Sequence, residues 1–379
     1  MKDKAFIYEV HYSNFNRYVI PWAKYLVEND IAKEVILVYD TFTKSEKIQI
    51  PEDKRISLTP VKKVYRESKG KDNTNTFFFN YSYRITDLYW TYKFKKIGIY
   101  TYQLQHGMYA EFLERSFLGY FSAINRKMTY LRYLFSFLIN GKFSIFLYLF
   151  NKDFTKSFKV NEYIEHKKKH TIAPLLSNHV FVWGDYWKEW FIKNHYYVAP
   201  DNFTTVGNPD YHTFIKGKNQ TRQPEKICYI AQTFVEDGRM DKSAYTGLID
   251  ELSNAVKDRL IIKLHPRSDK TIFETVVRNN GILTYDFPIT GFYVGHYSSL
   301  LALAINEDSK VLLLEVNGEE IPHYFRNTVD GVFTSMEDLS RTILENEKSK
   351  RTSDISYYFK NMEEHPFFII GNELTERSK

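Results

Sequence analysis

Short apolar runs alternate with amphipathic stretches along this chain, and the alternation predicts an α/β protein. In the first half, Phe6–Val10 and Val35–Tyr39 have the pattern of buried strands, and Tyr18–Glu28 between them has the pattern of a helix. Further strands are predicted at Ile99–Gln105, Val180–Trp183 and Thr204–Val206. A strand–helix–strand start is typical of a Rossmann-like sheet.

A second series of elements follows the polar stretch Lys216–Glu225, which we predict to be the interdomain linker. Its predicted elements are strands Lys226–Ala231, Leu260–Leu264, Ile282–Tyr285, Phe292–Val294 and Val311–Leu314, with helices Ser243–Val256, Ile272–Arg278 and Leu300–Ile305. Strands that alternate with helices imply a parallel sheet covered on both faces. Two Rossmann-like domains that face each other across a cleft form the GT-B architecture, which is the fold we expect.

These elements divide the 379 residues into three parts. Residues 1–220 are predicted to be an acceptor-side domain, residues 221–350 a nucleotide-donor domain, and residues 351–379 a helical tail that returns to the first domain. The length agrees with two domains of about 150–200 residues each.

The segment Leu118–His170 is predicted to be a helical insertion in the first domain. It is rich in Phe, Tyr, Leu and Lys and ends in a basic run at residues 166–170. Two interpretations stay open: an amphipathic helical pair resting on an anionic membrane surface, or a subdomain with its own core and a solvated basic end. A spanning helix is not expected, because Arg132, Asn140 and Lys142 interrupt the apolar stretch.

Composition narrows the classes of function. Hydrophobic residues make up 43% of the chain, which indicates a packed globular protein. The net charge of +6 suits acidic substrates or an anionic membrane surface, whereas a nucleic-acid-binding protein usually shows a clearer basic stripe. Cys228 is the only cysteine and lies in an apolar run, so we expect a core residue and a reducing cytoplasm. The N-terminal sequence passes directly into a strand pattern without a signal peptide, which favours the same location.

The polar residues with the clearest functional signal follow predicted strands of the second half. His265 and Arg267 come directly after one strand, and Ser298 and Ser299 open the helix that follows another. Ligands of open α/β sheets bind at the carboxyl ends of strands, and a helix N-terminus favours an anion. We therefore predict a nucleotide phosphate site, with His296 as a further candidate. The alternatives are that Arg267 pairs with a surface acid and that the serines only cap the helix.

Three weaker candidates belong to the same predicted donor site. Glu315 follows the strand Val311–Leu314, where a carboxylate has the position to accept hydrogen bonds from a ribose. A solvated loop acid is the equal alternative. Gln232 and Thr233 lie in the first turn of the second domain and are predicted to line the base or the phosphate.

In the first half, the triplet Gln105-His106-Gly107 ends a predicted strand. An acceptor hydroxyl loses a proton as it attacks, and a histidine is a natural base for that proton. His106 is therefore the predicted base, facing the cleft opposite His265. The rival bases are Glu111, Glu114 and Asp185. The predicted acceptor-binding residues are Glu9, His11 and Gln105.

Several familiar motifs are absent from the sequence. No Gly-x-Gly-x-x-Gly follows the first strand, so a dinucleotide oxidoreductase has little support. The chain has no Asp-x-Asp and no cluster with zinc spacing. We therefore expect transfer without a metal and without a cofactor, the nucleotide-sugar being a co-substrate.

The order of the motifs Gln-His-Gly, Val182-Trp183-Gly184, Val206–Pro209, His-Pro-Arg and Tyr297–Ser299 resembles bacterial surface-polysaccharide transferases. It is similar to the CDP-glycerol glycerophosphotransferases of teichoic-acid synthesis and to bacterial sialyltransferases. The resemblance implies a GT-B fold and a nucleotide-activated donor, commonly a cytidine nucleotide. It also implies that His265, Ser298 and Ser299 hold the donor phosphate and that His106 lies near the reacting centre.

Two departures from these families affect the expected donor. The sialyltransferases carry an acidic motif of two carboxylates and a glycine in the first half, whereas here Glu236-Asp237-Gly238 falls in the second. The glycerophosphotransferases usually have an acid before Tyr-Ser-Ser, and here Gly295-His296 takes that place.

The first functional hypothesis is a glycosyltransferase that moves a sugar from a nucleotide donor, CMP-linked in preference to UDP-linked, to a bacterial surface glycan or lipid-linked acceptor. The alternatives are a CDP-polyol phosphotransferase and a non-catalytic glycan-binding protein of the same fold. A 2-epimerase is a further possibility, but the active-site carboxylates that it needs have no evident position in the sequence. No nucleic-acid partner is expected.

Overall fold

The computed structural model describes residues 1–108, 124–154, 173–195, 202–216, 221–305, 308–316, 318, 320–345, 351, 354–360 and 363–376. The chain forms two units, each built on its own parallel sheet. This pair of Rossmann-like domains confirms the predicted fold class.

The first unit contains a seven-stranded sheet in the order β3-β2-β1-β4-β5-β6-β7. The strands are β1 Lys2–Tyr8, β2 Ala32–Tyr39, β3 Ile56–Pro60, β4 Thr76–Asn80, β5 Tyr100–Leu104, β6 His179–Val182 and β7 Phe203–Thr205. Every neighbouring pair is parallel, so all seven strands end at the same edge, the carboxyl edge of the sheet. The predicted strands of this half are present, and β3 and β4 are strands that the prediction did not contain.

Helices cover both faces of the first sheet. The longer ones are Ile20–Glu28, Val61–Ser68, Ile85–Lys95 and Asp185–His195. The predicted helix Tyr18–Glu28 begins as a wide π-helical turn at Phe15–Val19 before it becomes α-helical at Ile20. Short helical pieces occur at Tyr12–Asn14, Ser45–Lys47, Ala173–Leu175, Pro209–Tyr211 and, in the second unit, His212–Lys216.

The C-terminal helix Pro366–Glu376 packs on the first unit. The rings of Phe367 and Trp22 have centroids 4.9 Å apart in the core of that unit. A Cβ added at Gly371 would lie 2.6 Å from Ile31 Cδ1, so the helix packs closely on the first unit at this glycine. The last part of the chain therefore stabilises the first sheet, although it follows the second one in the sequence.

The described part of the predicted insertion consists of two helices, Ile124–Ile139 and Phe143–Phe154. Tyr133 stacks on Tyr89 of the helix Ile85–Lys95, with ring centroids 4.5 Å apart, so the pair is packed against the first domain. Residues 118–123 and 155–170 of the predicted insertion lie outside the described residues. Within the described ranges, every helix is too short or too polar to cross a bilayer.

The second unit contains a six-stranded parallel sheet in the order β10-β9-β8-β11-β12-β13. The strands are β8 Gln223–Ile230, β9 Leu260–Lys263, β10 Ile282–Thr284, β11 Thr290–Gly295, β12 Lys310–Leu314 and β13 Gly331–Phe333. The helical pieces are Lys242–Val256, Lys257–Arg259, Lys270–Phe273, Glu274–Arg278, Ser299–Ile305, His323–Arg326, Met336–Glu345 and Ile355–Tyr358.

Two details of this unit bear on the predictions. Strand β8 begins at Gln223, three residues inside the stretch predicted to be the linker, because Gln223 already pairs with Thr290 of β11, ahead of the apolar run that starts at Ile227. Cys228 lies fully buried in β8, and burial raises the pKa of its thiol, as expected of a core cysteine.

Candidate functional site

The order of the second sheet reverses between β8 and β11, and two of the predicted donor residues, Gln232 and Ser298, lie at this switch point. Gln232 follows β8, and its Nε2 donates a hydrogen bond of 2.6 Å to the carbonyl oxygen of Tyr297, which follows β11. Ser298 is the next residue along the chain. Loops that leave a reversal point diverge, and ligands of open α/β sheets bind there.

His265 follows β9 beside this switch point and is half-buried. The backbone N–H of Arg267 donates to its Nδ1 at 3.1 Å, which leaves the proton of a neutral ring on Nε2. Burial, with the positive charges of Arg267 and Lys263 adding to it, lowers the pKa of His265. The imidazole is therefore a neutral donor through Nε2–H rather than a cation.

Arg267 is paired with a carboxylate, which was the alternative to phosphate binding. Its guanidinium donates to Asp237 Oδ1 at 2.9 Å and to Thr233 Oγ1 at 3.1 Å. The Thr233 hydroxyl itself donates to Asp237 Oδ2 at 2.6 Å. Burial alone would raise the pKa of Asp237, but the hydrogen bonds from Arg267 and Thr233 lower it. Sequence reasoning had noted Glu236-Asp237-Gly238 and had given Asp237 no role.

The serine pair occupies a helix start, as predicted. The helix runs over Ser299–Ile305, and the backbone N–H of Leu300 donates to Ser298 Oγ at 3.3 Å. Ser298 therefore caps this helix in the structure, and its capping position is also the one an anion would approach.

Two predicted donor residues are engaged elsewhere. His296 is 4% exposed, its Nε2 lies 2.7 Å from the Tyr229 hydroxyl and its Nδ1 lies 2.7 Å from the carbonyl oxygen of Leu314. With both ring nitrogens used inside the core, it is a structural histidine and has no nitrogen left for a phosphate. Glu315 accepts hydrogen bonds from the Ile321 N–H and from Arg326 through the same oxygen, Oε1, so it forms an ion pair rather than a solvated loop acid.

In the first unit, the switch point lies between β1 and β4, and a buried charge cluster occupies its carboxyl edge. Glu9 follows β1, is 1% exposed and accepts a 2.7 Å hydrogen bond from Arg84 Nη1. Arg84 follows β4 and also binds both oxygens of Asp87, at 2.5 and 2.9 Å. Arg84 and Asp87 were missed because β4 itself was missed. The signal was the apolar run Thr76–Asn80, followed by an Arg and an Asp at helical i, i+3 spacing.

Glu9 is a fixed negative charge rather than a base. Burial alone would raise the pKa of its carboxyl, but Arg84, nearby His106 and the His11 N–H lower it to about 2. Its Oε1 is taken by Arg84 and by the backbone N–H groups of Val10 and His11, whereas its buried Oε2 has no hydrogen-bond partner among the residues that the structure describes. A carboxylate this acidic accepts a proton poorly, so base chemistry near neutral pH falls to another group.

His106 follows β5 at the same edge and is half-exposed. Its ring and the Tyr18 ring are nearly perpendicular, at a centroid distance of 5.0 Å, and Tyr18 belongs to the π-helical turn. Gly107 after it has a φ of +83°, so only glycine turns the chain there without strain. The geometry keeps His106 at the strand end, near the fixed charge of Glu9.

The other predicted residues of the first domain differ in their surroundings. Gln105 is buried, and its Oε1 accepts a 2.8 Å hydrogen bond from the Trp183 N–H, so it fixes the ends of β5 and β6 instead of presenting its amide to an acceptor. Asp185 is exposed at a helix start and accepts a 2.5 Å hydrogen bond from Thr205. His11 is partly exposed, and its backbone N–H donates a hydrogen bond to Glu9 Oε1. Glu111 and Glu114 lie outside the described residues.

No protein-family model and no curated protein matches this sequence. Solved structures share the fold over the whole chain. An H444N variant of the wall teichoic acid polymerase TagF aligns with a TM-score of 0.59 at 10% identity, covering 100% of this chain and 89% of that one. A Listeria monocytogenes protein assigned as a UDP-N-acetylglucosamine 2-epimerase gives 0.56 at 11% identity, covering 100% and 97%. Arabidopsis thaliana UGT89C1 complexed with UDP-L-rhamnose gives 0.53 at 10% identity, covering 100% and 99%. At these identities the similarity shows the GT-B fold alone.

We predict that the buried His296 makes the second domain sensitive to acid. Burial lowers its pKa from 6.5 to about 4, so between these two pH values the unfolded chain binds a proton that the folded chain does not. Stability is therefore lost as the pH falls from 6.5 to 4, by roughly 3 kcal/mol. Urea unfolding followed across this range should show the loss, and His296→Gln should flatten the slope. An unchanged slope in the variant would assign the acid sensitivity to other groups.

We also predict that Arg84 stabilises the first domain strongly. Arg84→Ala leaves Glu9 and Asp87 buried without a counter-charge, which should cost about 3–5 kcal/mol in the free energy of unfolding. Arg341→Ala is the matched control, because Arg341 pairs with Asp338 at the same i, i+3 spacing on the exposed surface, where a pair contributes about 0–1 kcal/mol. Equal losses in the two variants, measured by urea unfolding, would contradict the assignment.

Proposed function

We propose that this protein is a metal-independent glycosyltransferase that moves a sugar from a nucleotide-sugar to a bacterial surface glycan. The observation that carries the proposal is that His265, Gln232 and Ser298 follow the adjacent strands β9, β8 and β11 at one edge of the second sheet, with Gln232 bonded to the loop that opens the helix Ser299–Ile305. Among solved structures of the same fold, one was obtained with UDP-L-rhamnose and a TagF structure was soaked with CDPG. We expect a cytidine nucleotide as donor, with a uridine nucleotide as the alternative.

The donor phosphate would replace Asp237 as the partner of the Arg267 guanidinium. The side chains of Arg267 and Asp237 are 56% and 39% exposed, and pairs this exposed contribute only about 0–1 kcal/mol. A phosphate offers the planar guanidinium two oxygens and more negative charge than a carboxylate, so it competes well for Arg267. The Nε2–H of His265 and the N–H groups at the helix start would complete the site. These donors would stabilise the leaving phosphate without a metal ion.

In the transfer step, the acceptor hydroxyl oxygen forms a bond to the anomeric carbon of the donor sugar. The bond from that carbon to the phosphate oxygen breaks, and the nucleotide leaves with its electron pair. His106 takes the hydroxyl proton, and Glu9, which stays ionised, favours the imidazolium that forms.

Phosphotransfer from a CDP-polyol is the second candidate, favoured by the likeness to TagF. The acceptor oxygen would then attack phosphorus, and the product would contain a phosphodiester that phosphorus NMR detects. A 2-epimerase would convert its nucleotide-sugar without any acceptor. A non-catalytic glycan-binding protein would bind acceptor and turn over no donor.

We predict that nucleotide affinity depends on the second switch point. Arg267→Ala and the double variant Ser298→Ala/Ser299→Ala should each weaken binding by about 1–3 kcal/mol, the scale of charge-assisted hydrogen bonds. Arg259→Ala is the matched control, since Arg259 lies at the opposite end of β9. Calorimetry with CMP, CDP, UDP and GDP, in buffer containing EDTA, measures these affinities and shows which nucleobase the site prefers. Affinities unchanged by the switch-point variants would overturn the donor site.

We predict that His106 acts in transfer and not in donor binding. A general base contributes typically about 10²–10⁴-fold, so His106→Ala should lower kcat on that scale and leave nucleotide affinity nearly unchanged. The lower limb of the pH–rate profile should disappear with it. Asp185→Asn, which changes the rival base, should lower kcat only slightly. A His106 variant with normal turnover would remove the base role, and one with weakened nucleotide binding would assign His106 to the donor site.

A further inference from the structure

The hairpin formed by helices Ile124–Ile139 and Phe143–Phe154 has an inner and an outer side that differ in burial. The inner residues are buried: Tyr133, Leu134, Phe137, Ile145 and Leu149. The outer side exposes six large apolar residues: Met128, Phe135, Leu138, Ile139, Phe143 and Leu147. A concentration of exposed apolar side chains marks an interaction site rather than ordinary surface.

Most of the outer residues of the first helix form one stripe. Met128, Arg132, Phe135 and Ile139 follow the spacing i, i+4, i+7, i+11, which places them in one stripe along the first helix. The stripe ends at the turn between the helices, where the exposure is greatest: Ile139 is 84% exposed and Phe143 is 58% exposed. The apolar face therefore ends in a protruding tip.

The charges on the hairpin are positive up to its far end, where Asp153 is the one acid in the second helix. From Ile124 to Lys152 the sequence contains Arg126, Lys127, Arg132, Lys142 and Lys152 and no Asp or Glu. Arg132 lies within the apolar stripe, and Lys142 lies at the tip between Ile139 and Phe143; both are exposed. Apolar side chains beside cations suit an anionic lipid surface. A second copy of the chain would bring the same positive charges face to face, which disfavours self-association through this side.

The inner side holds the hairpin firmly against the first domain. The Tyr133 hydroxyl donates to the Asp40 carboxylate at 2.9 Å, and its ring stacks on Tyr89. Asp40 directly follows β2, so this anchor lies at the same carboxyl edge as Glu9 and His106. A partner bound by the hairpin would therefore be held at a fixed distance from the carboxyl edge of the first sheet.

We propose that the outer face of this hairpin binds an anionic lipid bilayer. Ile139 and Phe143 enter the boundary between headgroups and acyl chains, while Arg132 and Lys142 contact lipid phosphates. Binding by this face does not depend on the transfer chemistry, so it can fail or hold independently of the proposed function.

Co-sedimentation with vesicles tests the proposal on the full chain. The protein should pellet with phosphatidylglycerol-containing vesicles and much less with pure phosphatidylcholine. Raising the salt from about 0.1 M to about 1 M, which shortens the screening length from ~10 Å to ~3 Å, should release it. Ile139→Asp/Phe143→Asp should lower the partition on the order of 100-fold, and Arg132→Glu/Lys142→Glu about tenfold or more. Val277→Asp/Leu344→Asp is the matched control, because these residues are each 56% exposed in the second unit.

A second readout follows insertion directly and avoids drastic substitutions. Cys228 is the only cysteine and is buried, so Ile139→Cys and Val277→Cys can each be labelled selectively with an environment-sensitive fluorophore. A blue shift on addition of anionic vesicles at position 139, absent at 277, supports the proposal. Three results overturn it: no lipid-dependent pelleting, pelleting that both hairpin variants retain, or a stable dimer in light scattering that Ile139→Asp/Phe143→Asp dissolves.

Discussion

Every strand in both sheets is parallel to its neighbours, and this constraint decides where chemistry can occur in the molecule. Parallel strands end at one edge, so side chains that follow different strands meet there although they are far apart in sequence. Each sheet also reverses its strand order once, between β1 and β4 and between β8 and β11. Glu9 and Arg84 meet at the first reversal, and Gln232 and Tyr297 meet at the second. The polar groups of interest thus follow from strand topology.

Much of the strand pattern was visible in the sequence because the strands of the second domain are apolar runs bounded by Gly, Pro or charged residues. The strands β3, β4 and the three-residue β13 were not. In β3 only Ile56 is buried while Ser57, Leu58 and Thr59 are partly exposed, so the segment lacks a clear apolar run. In β4 the run Thr76–Asn80 is short and follows a polar loop. Missing β4 also hid the strand order, and with it the contact between Arg84 and Glu9.

Whether a residue at a strand end is buried or can bind a ligand depends on contacts that sequence spacing does not encode. His265 and His296 both lie within two residues of a strand end, and their local sequences do not distinguish a ligand-binding ring from a buried one. His296 is buried because Tyr229, 67 residues earlier, and the backbone of Leu314, 18 residues later, close on its ring. Within the described part of the chain, the His265 ring has one hydrogen-bond partner, the backbone N–H of Arg267, which is local and binds Nδ1 rather than Nε2. Strand ends can be predicted from sequence, whereas the packing around each ring depends on long-range contacts.

The two arginine–carboxylate clusters show how burial separates a structural ion pair from an exchangeable one. Arg84 is 15% exposed and is shared by two carboxylates that are almost completely buried, so a ligand that displaced either would leave a charge uncompensated in a medium of low polarity. Arg267 is 56% exposed and its partner Asp237 is 39% exposed, so water can solvate both when they separate. The chemistry of the two pairs is the same, and the free energy needed to open them differs by several kcal/mol. An incoming phosphate can therefore compete for Arg267 but not for Arg84, which places the exchangeable cation in the second domain and the fixed charge in the first.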